Sequence, residues 1–420
     1  MVKPGYKQTE IGVIPEDWQV VELGKLYNIT SSKRVFQSEW RKSGIPFYRA
    51  REIAVMSEGY SAPEELYIDE ALYNTYIRQY GAIKKDDVLI TGVGTLGKVY
   101  VVKEHDRFYF KDGNIIWLQT QGKLSSQYLK QQYNMPILVN QVFGNAGGST
   151  VATYTITNAK ATKVAVPPRP EQERIAEALS DVDRMIFSLE KLIAKKKAVK
   201  QGAMQELLTG KKRLPGFDRE WNKINLAKKS KIKARIGWQG LTTNEYLDSG
   251  YSYLVTGTDF ANGKIDWNNC HYVAKDRFDQ DKNIQIQNDD ILMTKDGSLG
   301  KTALVKGLDK PATLNSGVFV IKPIQESYDP VFVYYILSSF VFKDFLDHLS
   351  AGSTIIHLYQ KDISKFEFLI PPTIEEQTAI ASILSDMDNE IEALDQKLAK
   401  TRQLKQGMMQ QLLTGKIRLV

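Results

Sequence analysis

The 420-residue sequence contains one cysteine, four histidines and no apolar run long enough to cross a membrane. Cys270 alone cannot form an internal disulfide, and the histidines lack the paired spacing of metal ligands, so we expect a reduced chain without a metal. A membrane helix needs about 18 apolar residues in a row, and the N-terminal residues are polar rather than signal-like. These absences predict a cytoplasmic protein with no membrane partner.

Catalytic signatures are also missing. The sequence has no Asn/Asp-Pro-Pro-aromatic tetrapeptide, no GxGxxG opening a βαβ unit, no HExxH, no GxSxG and no acidic-lysine nuclease cluster. We therefore predict no catalytic residue and no bound cofactor.

The charge is basic, with 56 Lys and Arg against 49 Asp and Glu, a net charge of +7 and a pI near 9.0. This balance is compatible with a polyanionic partner such as nucleic acid.

The most prominent feature that is present is an internal repeat. Residues 171–210 recur as residues 376–415 at a constant offset of 205 positions, as for Gln172 and Gln377. The two copies share Ser-Asp-x-Asp, Lys-Gln-Gly and Leu-Leu-Thr-Gly. These matched stretches divide the rest of the chain into two unmatched bodies.

Each copy of the repeat carries apolar residues at alternating steps of four and three, the spacing of a coiled-coil seam. The seam positions are Ile175, Leu179, Val182, Ile186, Leu189 and Ile193 in the first copy, and Ile380, Leu384, Met387, Ile391, Leu394 and Leu398 in the second. Lys200 and Lys405 interrupt the seam at equivalent positions. Because a lysine is costly to bury, they indicate either a fixed register or an opening for a partner. The alternative is that each helix packs only on its own domain.

Connectivity restricts how the two helices combine. The first helix leaves one body and enters the other, so an antiparallel pair within one molecule would bury both seams. The predicted fold is α+β: two β-rich bodies joined by two long helices in an antiparallel intramolecular coiled coil, with a pseudo-two-fold internal repeat. At about 1.5 Å per residue, the central helix would hold the bodies on the order of 50 Å apart. The predicted segments are body 1 at 1–166, the central helix at 167–213, body 2 at 214–370 and the distal helix at 371–420.

Both bodies open with a tryptophan, Trp18 or Trp221, and carry a basic segment soon afterwards. A solvated charged surface is the plain interpretation of these segments. Their equivalent location in the repeat favours contacts to phosphates instead. The candidate residues are Lys33, Arg34, Lys233 and Arg235.

An extended segment follows at 45–53 in body 1 and at 252–260 in body 2, and each ends in an acidic and an apolar residue. The frame is common but the side chains differ, so two specificities could be encoded here. We predict that Arg49 and Arg51 face nucleic acid in body 1 and that Thr256 does so in body 2.

A third repeated segment imitates a phosphate-binding loop. Residues 92–98 match GxxxxGK, but valine follows where Ser or Thr should bind magnesium, and the second copy has Lys295 where the first glycine is required. The residues after Lys98 also read as a strand rather than as the helix that cradles phosphate. We predict a tight β-turn that leaves Lys98 and Lys301 available to a phosphate, with Lys295 also facing nucleic acid. The turn glycines expected to allow a close backbone approach are Gly94, Gly97, Gly297 and Gly300.

Both bodies then contain a Gly-Ser-Thr tripeptide, at 148–150 and 352–354, 19 residues before a Pro-Pro pair. Proline interrupts regular structure, so the pairs at 167–168 and 371–372 are expected to separate the bodies from the helices.

In combination, these features resemble the specificity subunit of type I restriction-modification enzymes. The features are two variable bodies, repeated helices with Ser-Asp-x-Asp and Leu-Leu-Thr-Gly, an Ile-Pro-Glu-Asp-Trp opening and paired GxxGK turns. The resemblance covers essentially the whole chain. It implies that each body is a target recognition domain that reads one half of a split double-stranded DNA sequence.

The resemblance also implies partners. The coiled coil is expected to set the unread gap and to dock two copies of a methyltransferase subunit, which carry S-adenosylmethionine and methylate adenine N6. ATP-driven translocation and cleavage belong to a restriction subunit. The base-reading residues vary within the family, so the resemblance assigns none of them here.

Two other classes stay open on the residues alone. One is a stand-alone bipartite DNA-binding or architectural protein without methyltransferase partners, which would bind DNA tightly by itself. The other is an enzyme, either a degenerate P-loop ATPase or a nuclease. Neither explains why repeated helices join two unequal bodies.

Overall fold

The computed structural model describes residues 3–63, 65–144, 152–350 and 357–420. The two Gly-Ser-Thr tripeptides lie outside these ranges. The chain divides into two compact units: unit 1 comprises Met1–Leu192 and Asp395–Val420, and unit 2 comprises Ile193–Leu394. Each unit therefore combines one body with parts of both repeated stretches.

Unit 1 contains short strands and helices before the first long helix. In chain order its strands are β1 (Tyr6–Thr9), β2 (Gly12–Pro15), β3 (Gln19–Glu22), β4 (Tyr27–Thr30), β5 (Trp40–Arg41), β6 (Ile45–Tyr48), β7 (Tyr67–Ile68), β8 (Val88–Thr91), β9 (Val99–Val101), β10 (Tyr109–Phe110), β11 (Ile115–Thr120) and β12 (Lys163–Val166). Its helices are α1 (Leu23–Leu26), α2 (Ala50–Ser57), α3 (Glu70–Tyr80), α4 (Ser126–Gln132), α5 (Pro136–Gly144) and α6 (Ile156–Ala161), and α7 (Arg169–Leu207) begins in this unit.

Unit 2 follows a similar plan. Its strands are β13 (Asn222–Asn225), β14 (Ser230–Ala234), β15 (Ser252–Val255), β16 (Phe260–Ala261), β17 (Lys264–Ile265), β18 (His271–Val273), β19 (Ile291–Thr294), β20 (Thr302–Leu304), β21 (Ala312–Leu314), β22 (Val318–Pro323) and β23 (Glu367–Ile370). Its helices are α8 (Leu226–Lys229), α9 (Lys275–Asp279), α10 (Pro330–Leu337), α11 (Phe340–Ser350) and α12 (Gln360–Ile363), and α13 (Ile374–Leu412) begins here.

The two units share the topology of their main sheets. In unit 1 the order is β4-β11-β8-β9, and in unit 2 it is β14-β22-β19-β20, with neighbouring strands antiparallel in both. Each unit also has a smaller sheet with one parallel pair, β6 with β10 or β15 with β21. A two-stranded sheet precedes each long helix, β3 with β12 or β13 with β23.

The units differ in what connects these shared strands. Between β6 and β8, unit 1 contains helices α2 and α3 around β7. Between β15 and β19, unit 2 instead contains the β16–β17 hairpin, β18 and α9. The divergence is therefore concentrated in one connection of a common frame.

The long helices α7 and α13 each have 39 residues, which corresponds to about 58 Å of helix. Both follow a Pro-Pro pair, whose first carbonyl accepts from the side-chain amide of Gln172 at 2.8 Å or of Gln377 at 2.9 Å. After each helix comes a glycine in the left-handed region, Gly210 at φ +69° and Gly415 at φ +67°. Glycine adopts this conformation without a Cβ penalty, which explains why Leu-Leu-Thr-Gly ends both helices.

Within each unit the helical segments run antiparallel, because later residues of one contact earlier residues of the other. In unit 1 the ion pairs are Glu171 with Arg418, Asp183 with Lys405 and Glu190 with Arg402. In unit 2 they are Lys196 with Glu390, Lys200 with Asp388 and Arg213 with Glu376. The α+β class, the internal repeat and the antiparallel pairing are confirmed.

Each unit has its own hydrophobic core, to which both helices contribute. In unit 1, Ile175 and Leu179 of α7 lie in one cluster with Met409 and Leu412 of α13. In unit 2, Leu207 of α7 lies in a cluster with Ile380, Ala381 and Leu384 of α13. The start of one helix and the end of the other are thus part of the same core.

Candidate nucleic-acid interface and helix seam

The repeated GxxGK segments are the turns of two β-hairpins, β8–β9 and β19–β20. In each turn a threonine hydroxyl oxygen accepts from the backbone N–H of the lysine, at 3.0 Å for Thr91 and Lys98 and at 3.0 Å for Thr294 and Lys301. A strand follows each lysine, starting at residue 99 or 302. The β-turn interpretation is confirmed, since a phosphate loop requires a helix at this point.

The turn glycines have two different roles. A Cβ on Gly300 would lie 2.5 Å from Cδ1 of Leu346, and one on Gly97 would lie 3.4 Å from the nearest side chain. Gly94 and Gly297 face open space, but their φ values are +76° and +71°. The close approach is therefore confirmed for Gly300 alone, because 3.4 Å at Gly97 is an ordinary van der Waals contact. Gly94, Gly97 and Gly297 are needed for their left-handed backbone.

Both turn lysines have partners within the protein. The Nζ of Lys98 lies 2.7 Å from Oε1 of Glu58, and the Nζ of Lys301 donates to the carbonyl oxygen of Phe260 at 2.7 Å. An exposed ion pair such as Lys98 with Glu58 contributes about 0 to 1 kcal/mol. A phosphate could therefore replace the carboxylate at small cost, and the role of these lysines in DNA binding stays a prediction.

Arg49 and Arg51 share two carboxylates. The Nη2 of Arg49 and the Nε of Arg51 lie 2.8 and 2.9 Å from Oε1 of Glu52, and both guanidinium groups also contact Glu65. Burial disfavours the charged form of Glu52, but hydrogen bonds from the side chain and backbone of Arg49 and from Arg51 outweigh it, so the pKa of Glu52 is lowered. The structure brings these two predicted arginines together and fixes their orientation.

Thr256 lies at the equivalent turn of unit 2. Its backbone N–H and its hydroxyl donate to Oδ2 of Asp259 at 2.7 and 2.9 Å, as the backbone N–H of Arg49 donates to Glu52 at 2.8 Å. Asp259 and Glu52 are both buried. The acidic residue that ends each extended segment therefore caps the turn after a strand, which explains its presence in both bodies.

The remaining predicted residues are grouped differently in the two units. In unit 1, Arg49 and Glu58, the partner of Lys98, flank the eight-residue helix α2, so they are separated by about 12 Å of helix. In unit 2, a Cβ on Gly257, next to Thr256, would lie 2.8 Å from Cγ2 of Thr294, next to Lys295. The structure thus brings the segments that contain Thr256 and Lys295 into contact, but places Arg49 and the partner of Lys98 at opposite ends of α2.

The basic segment of body 1 lies beside aromatic and acidic side chains. The Nζ of Lys33 is 4.9 Å from the ring centroid of Tyr80, and the Nε of Arg34 donates to Asp112 at 3.1 Å. Both basic side chains belong to exposed residues. Their proposed contacts to phosphate stay predictions.

The basic segment of body 2 divides into an exposed and a buried part. Lys233 is exposed on β14, but Arg235 is 2% exposed. The Nε of Arg235 donates to the carbonyl oxygen of Leu314 at 2.8 Å, and burial lowers the pKa of this arginine. In this structure Arg235 is an interior hydrogen-bond donor, so its guanidinium is not presented to a phosphate.

The predicted seam residues fall into two groups by exposure. Those that are buried are Ile175, Leu179, Leu189, Ile193, Ile380, Leu384, Ile391 and Leu398. Those that are half-buried are Val182, Ile186, Met387 and Leu394. Because these side chains are buried or half-buried, their exposure does not indicate that a partner docks on the seam. This docking stays a prediction.

The two seam lysines each pair with an aspartate of the Ser-Asp-x-Asp motif. Lys200 lies 2.5 Å from Asp388 in unit 2, and Lys405 lies 2.6 Å from Asp183 in unit 1. The second carboxylate oxygen accepts from the body of the same unit, from the hydroxyl of Tyr335 at 2.8 Å or from the amide of Gln131 at 2.9 Å. Each half-buried lysine is thus matched by a charge that the body holds in place.

Each body is connected to the helices by a joint that was not predicted from the sequence. In unit 1 the indole N–H of Trp18 donates to Glu171 at 3.0 Å, and Arg418 donates to both oxygens of this carboxylate at 2.7 and 2.9 Å. In unit 2, Trp221 donates to Glu376 at 3.3 Å, and Arg213 donates at 2.8 and 2.9 Å. Hydrogen bonds to Glu171 and to Asp17 raise the pKa of Arg418.

The sequence does contain the signal for this joint. The repeat continues past Leu-Leu-Thr-Gly as Lys-x-Arg-Leu, so Arg213 and Arg418 have the same offset of 205 as the helix residues. Glu171 and Glu376 are each 1% exposed. A buried carboxylate needs a cation and further hydrogen bonds, and here the arginine and the tryptophan supply them.

Two classes of site are not found in the residues that the structure describes. These ranges contain no group of three or more His, Cys, Asp or Glu side chains arranged to hold a metal ion. In the same ranges, none of the helices combines the length and apolar character that a bilayer crossing would require.

The fold and its paired joints define a duplicated α+β protein built around two long antiparallel helices, and comparisons with known proteins agree. The family model described as "Type I restriction modification DNA specificity domain" matches residues 15–201 and 240–402. Because these matches cover most of the sequence, the chain belongs to the family of type I restriction-modification specificity subunits, which are non-catalytic DNA-recognition proteins.

A relative and two solved structures illustrate the similarity. The type I restriction enzyme MjaVIII specificity subunit of Methanocaldococcus jannaschii is 25% identical over 437 residues, covering 97% of this chain and 94% of the relative. The S subunit of a type I restriction-modification system from M. genitalium has the same fold, with a TM-score of 0.62, 16% identity and coverage of 94% and 96%. A chain from a study of complex assembly and conformational transition of the type I R-M system gives a TM-score of 0.53, with 17% identity and coverage of 96% and 99%.

Proposed function

We propose that each body reads one half of a bipartite, asymmetric DNA site. The observation that carries this proposal is which structural features the two units share and which differ between them. The main sheet, the GxxGK hairpin and the Trp-Glu-Arg joint recur, whereas the connection after β6 or β15 differs in secondary structure. A common frame suits contacts to the phosphate backbone, and different connections suit the reading of different bases.

The proposal assigns the unread gap to the helix pair. Half-sites one helical turn apart lie about 34 Å from centre to centre, and each long helix extends for about 58 Å. Helices of this length are sufficient to space two readers over a gap of untouched base pairs. The predicted segments, with body 1 at 1–166 and body 2 at 214–370, are the corresponding target recognition domains.

The proposal also includes the partners. Two methyltransferase subunits that modify adenine N6 dock on the helix pair, and restriction subunits complete the complex. The repeated joints support this stoichiometry, because an internal repeat offers two equivalent surfaces to two identical partners. A cytoplasmic location, where the partners and DNA meet, belongs to the same proposal.

Methylome mapping tests the main claim. The chain is expressed with the methyltransferase subunit of its system in a host that lacks other adenine methylation, and methylated adenines are mapped. We expect one split motif with two different halves and a constant gap. A continuous motif, or methylation that does not require this chain, contradicts bipartite reading.

Binding of purified variants to the mapped duplex tests the predicted contacts in unit 1. Arg49→Ala and Lys98→Ala are each expected to weaken binding, and Lys98→Ala should also lower the salt dependence because one phosphate contact is lost. Lys160→Ala, at an exposed position of α6, is the matched control. Unchanged binding by both variants rejects their placement at the DNA. Equal affinity of the isolated chain and of the complex would favour a stand-alone DNA-binding protein.

A further inference from the structure

Unit 2 contains a cleft of about 410 Å³ at the end of strand β19. Its walls combine basic, acidic, imidazole and aromatic groups, supplied by Lys295, Asp296, Phe319, His357, Tyr359 and Gln360. Of these residues, only Lys295 was predicted from the sequence to face nucleic acid.

The backbone around the cleft is firmly held. Leu358 is 1% exposed, and its N–H donates to the carbonyl oxygen of Lys295 at 2.8 Å. Asp296 and His357 form an antiparallel bridge next to this hydrogen bond. The N–H of Tyr359 donates to Asp362 at 3.2 Å, at the start of helix α12. The chain on either side of a buried leucine thus presents two side chains in fixed directions.

Those two side chains are an imidazole and a phenol ring. The Nδ1 of His357 lies 2.6 Å from Oδ1 of Asp296, which orients the ring and leaves Nε2 for a ligand. Tyr359 is 55% exposed, and its ring centroid lies 6.2 Å from that of His357. An exposed aromatic ring on a rigid backbone is a surface on which a base or a thymine methyl group can pack.

Positive charge surrounds the cleft. Lys295 lies over the ring of Phe319 at 5.8 Å, and Lys361 lies over the ring of Tyr359 at 5.3 Å. Gln360 donates to the backbone of β14 at 3.4 Å, and Lys233 is exposed on that strand. Cations at these positions match a phosphate backbone that passes beside the cleft.

Unit 1 has the same frame without the cleft-forming side chains. The N–H of Tyr154 donates to the carbonyl oxygen of Gly92 at 2.9 Å, the counterpart of the bond between Leu358 and Lys295. Counting from this pair, Gly92 takes the place of Lys295, and Thr155 takes the place of Tyr359. The groups that could read a ligand are therefore specific to one body.

From this difference we infer that Tyr359, His357 and Lys295 form a specificity-determining DNA subsite of unit 2. Tyr359 packs against a base, the Nε2 of His357 hydrogen-bonds a base edge, and Lys295 contacts a base acceptor or the adjacent phosphate. Asp296 is a positioning residue that acts through His357. The inference rests on the proposed function, because it assigns one half of the bipartite site to these residues.

A binding experiment on the purified complex with its methyltransferase subunit tests the subsite. The probes are the mapped duplex and a set of duplexes with single base-pair changes in each half. For the wild-type complex we expect a penalty for changes in either half. In Tyr359→Ala and in His357→Ala, the penalty is expected to fall about ten-fold at one or two positions, all in the same half-site. Tyr359→Phe keeps the ring and should preserve discrimination there.

Thr155→Ala, the equivalent change in unit 1, is the matched control. It should leave discrimination unchanged in the half-site that Tyr359→Ala and His357→Ala relax. Retained discrimination in the other half shows that a variant is folded. Wild-type penalties that persist in both alanine variants overturn the inference but leave the proposed function intact. An equal loss of affinity for every duplex, or relaxed reading of different halves by Tyr359→Ala and His357→Ala, also overturns it. A wild-type complex that reads no half-site overturns the proposed function and the inference together.

Discussion

Units 1 and 2 agree where the bodies meet the helices and differ in one connection within each body, from β6 to β8 or from β15 to β19. In both, a tryptophan and an arginine hold a buried glutamate, and a half-buried seam lysine pairs with an aspartate. The connection from β6 to β8 is mostly helical in unit 1, whereas the connection from β15 to β19 is mostly extended in unit 2. The comparison teaches that the joints are the same in the two units, whereas the segments expected to read bases differ.

Even the shared joint is not identical. Trp18 is fully buried, and Arg418 makes two additional contacts to Asp17 at 2.7 and 2.9 Å. Trp221 is only half-buried, and within the described part of unit 2 Arg213 pairs with Glu376 but with no second acid. The joint of unit 1 therefore has more protein contacts around its carboxylate.

The largest expected effect comes from removing the joint glutamate. Glu171→Ala and Glu376→Ala should each lower the free energy of unfolding by about 3 to 5 kcal/mol, because a half-buried arginine and an indole N–H lose the buried carboxylate that pairs with them. The larger loss is expected for Glu171. Urea unfolding with hydrogen exchange to assign the affected unit is the measurement. Glu375→Ala, at an exposed neighbouring position, is the control. Losses below 1 kcal/mol in both variants would show that the joints contribute little.

The next effect separates the two hairpin turns. Gly97→Ala should cost about 1 to 2 kcal/mol, because alanine is strained in the left-handed region. Gly300→Ala should cost about 1 to 3 kcal/mol more, since its Cβ would collide with Leu346. Thermal unfolding of both variants gives the difference.

Gly202→Ala and Gly407→Ala provide the matched controls for these turn variants. Both glycines lie within the long helices with open space around a Cβ, so alanine should stabilise by about 0.5 to 1 kcal/mol. Equal costs for the two turn variants would contradict the close packing of Gly300.

The smallest effect concerns the seam. Lys200→Met and Lys405→Met should each cost about 1 kcal/mol, because a partly exposed ion pair is lost while Asp388 or Asp183 keeps a second hydrogen bond. Lys195→Met, on an exposed face of α7, should be nearly neutral. Unfolding at low and high salt measures the charge contribution. A destabilisation of both variants that is equal at low and high salt would argue against the ion pairs.

Much of the fold could be predicted from the sequence, because the repeat specifies both its pattern and its pairing. The four-three spacing from Ile175 to Ile193 identified the long helices, and the glycine turn after Thr91 identified a hairpin rather than a phosphate loop. These features are local, so composition and spacing carry them.

The candidate site was less accessible to prediction. Arg235 belongs to a basic run, yet it folds inward to meet the carbonyl oxygen of Leu314, 79 positions further along the chain. Tyr359 and His357 carried no signal, because they become a cleft only when β19 brings Lys295 beside them. The partner of a charged residue cannot be identified from the sequence when a distant segment supplies it.

The sequence by itself determined the helix pair, the two bodies and their internal repeat, since periodicity and a constant offset are properties of a linear chain. Only the tertiary structure decided which charges are exposed and which are neutralised within the protein. The physical reason is that the cost of burying a charge depends on the hydrogen-bond partners around it, and long-range packing supplies those partners.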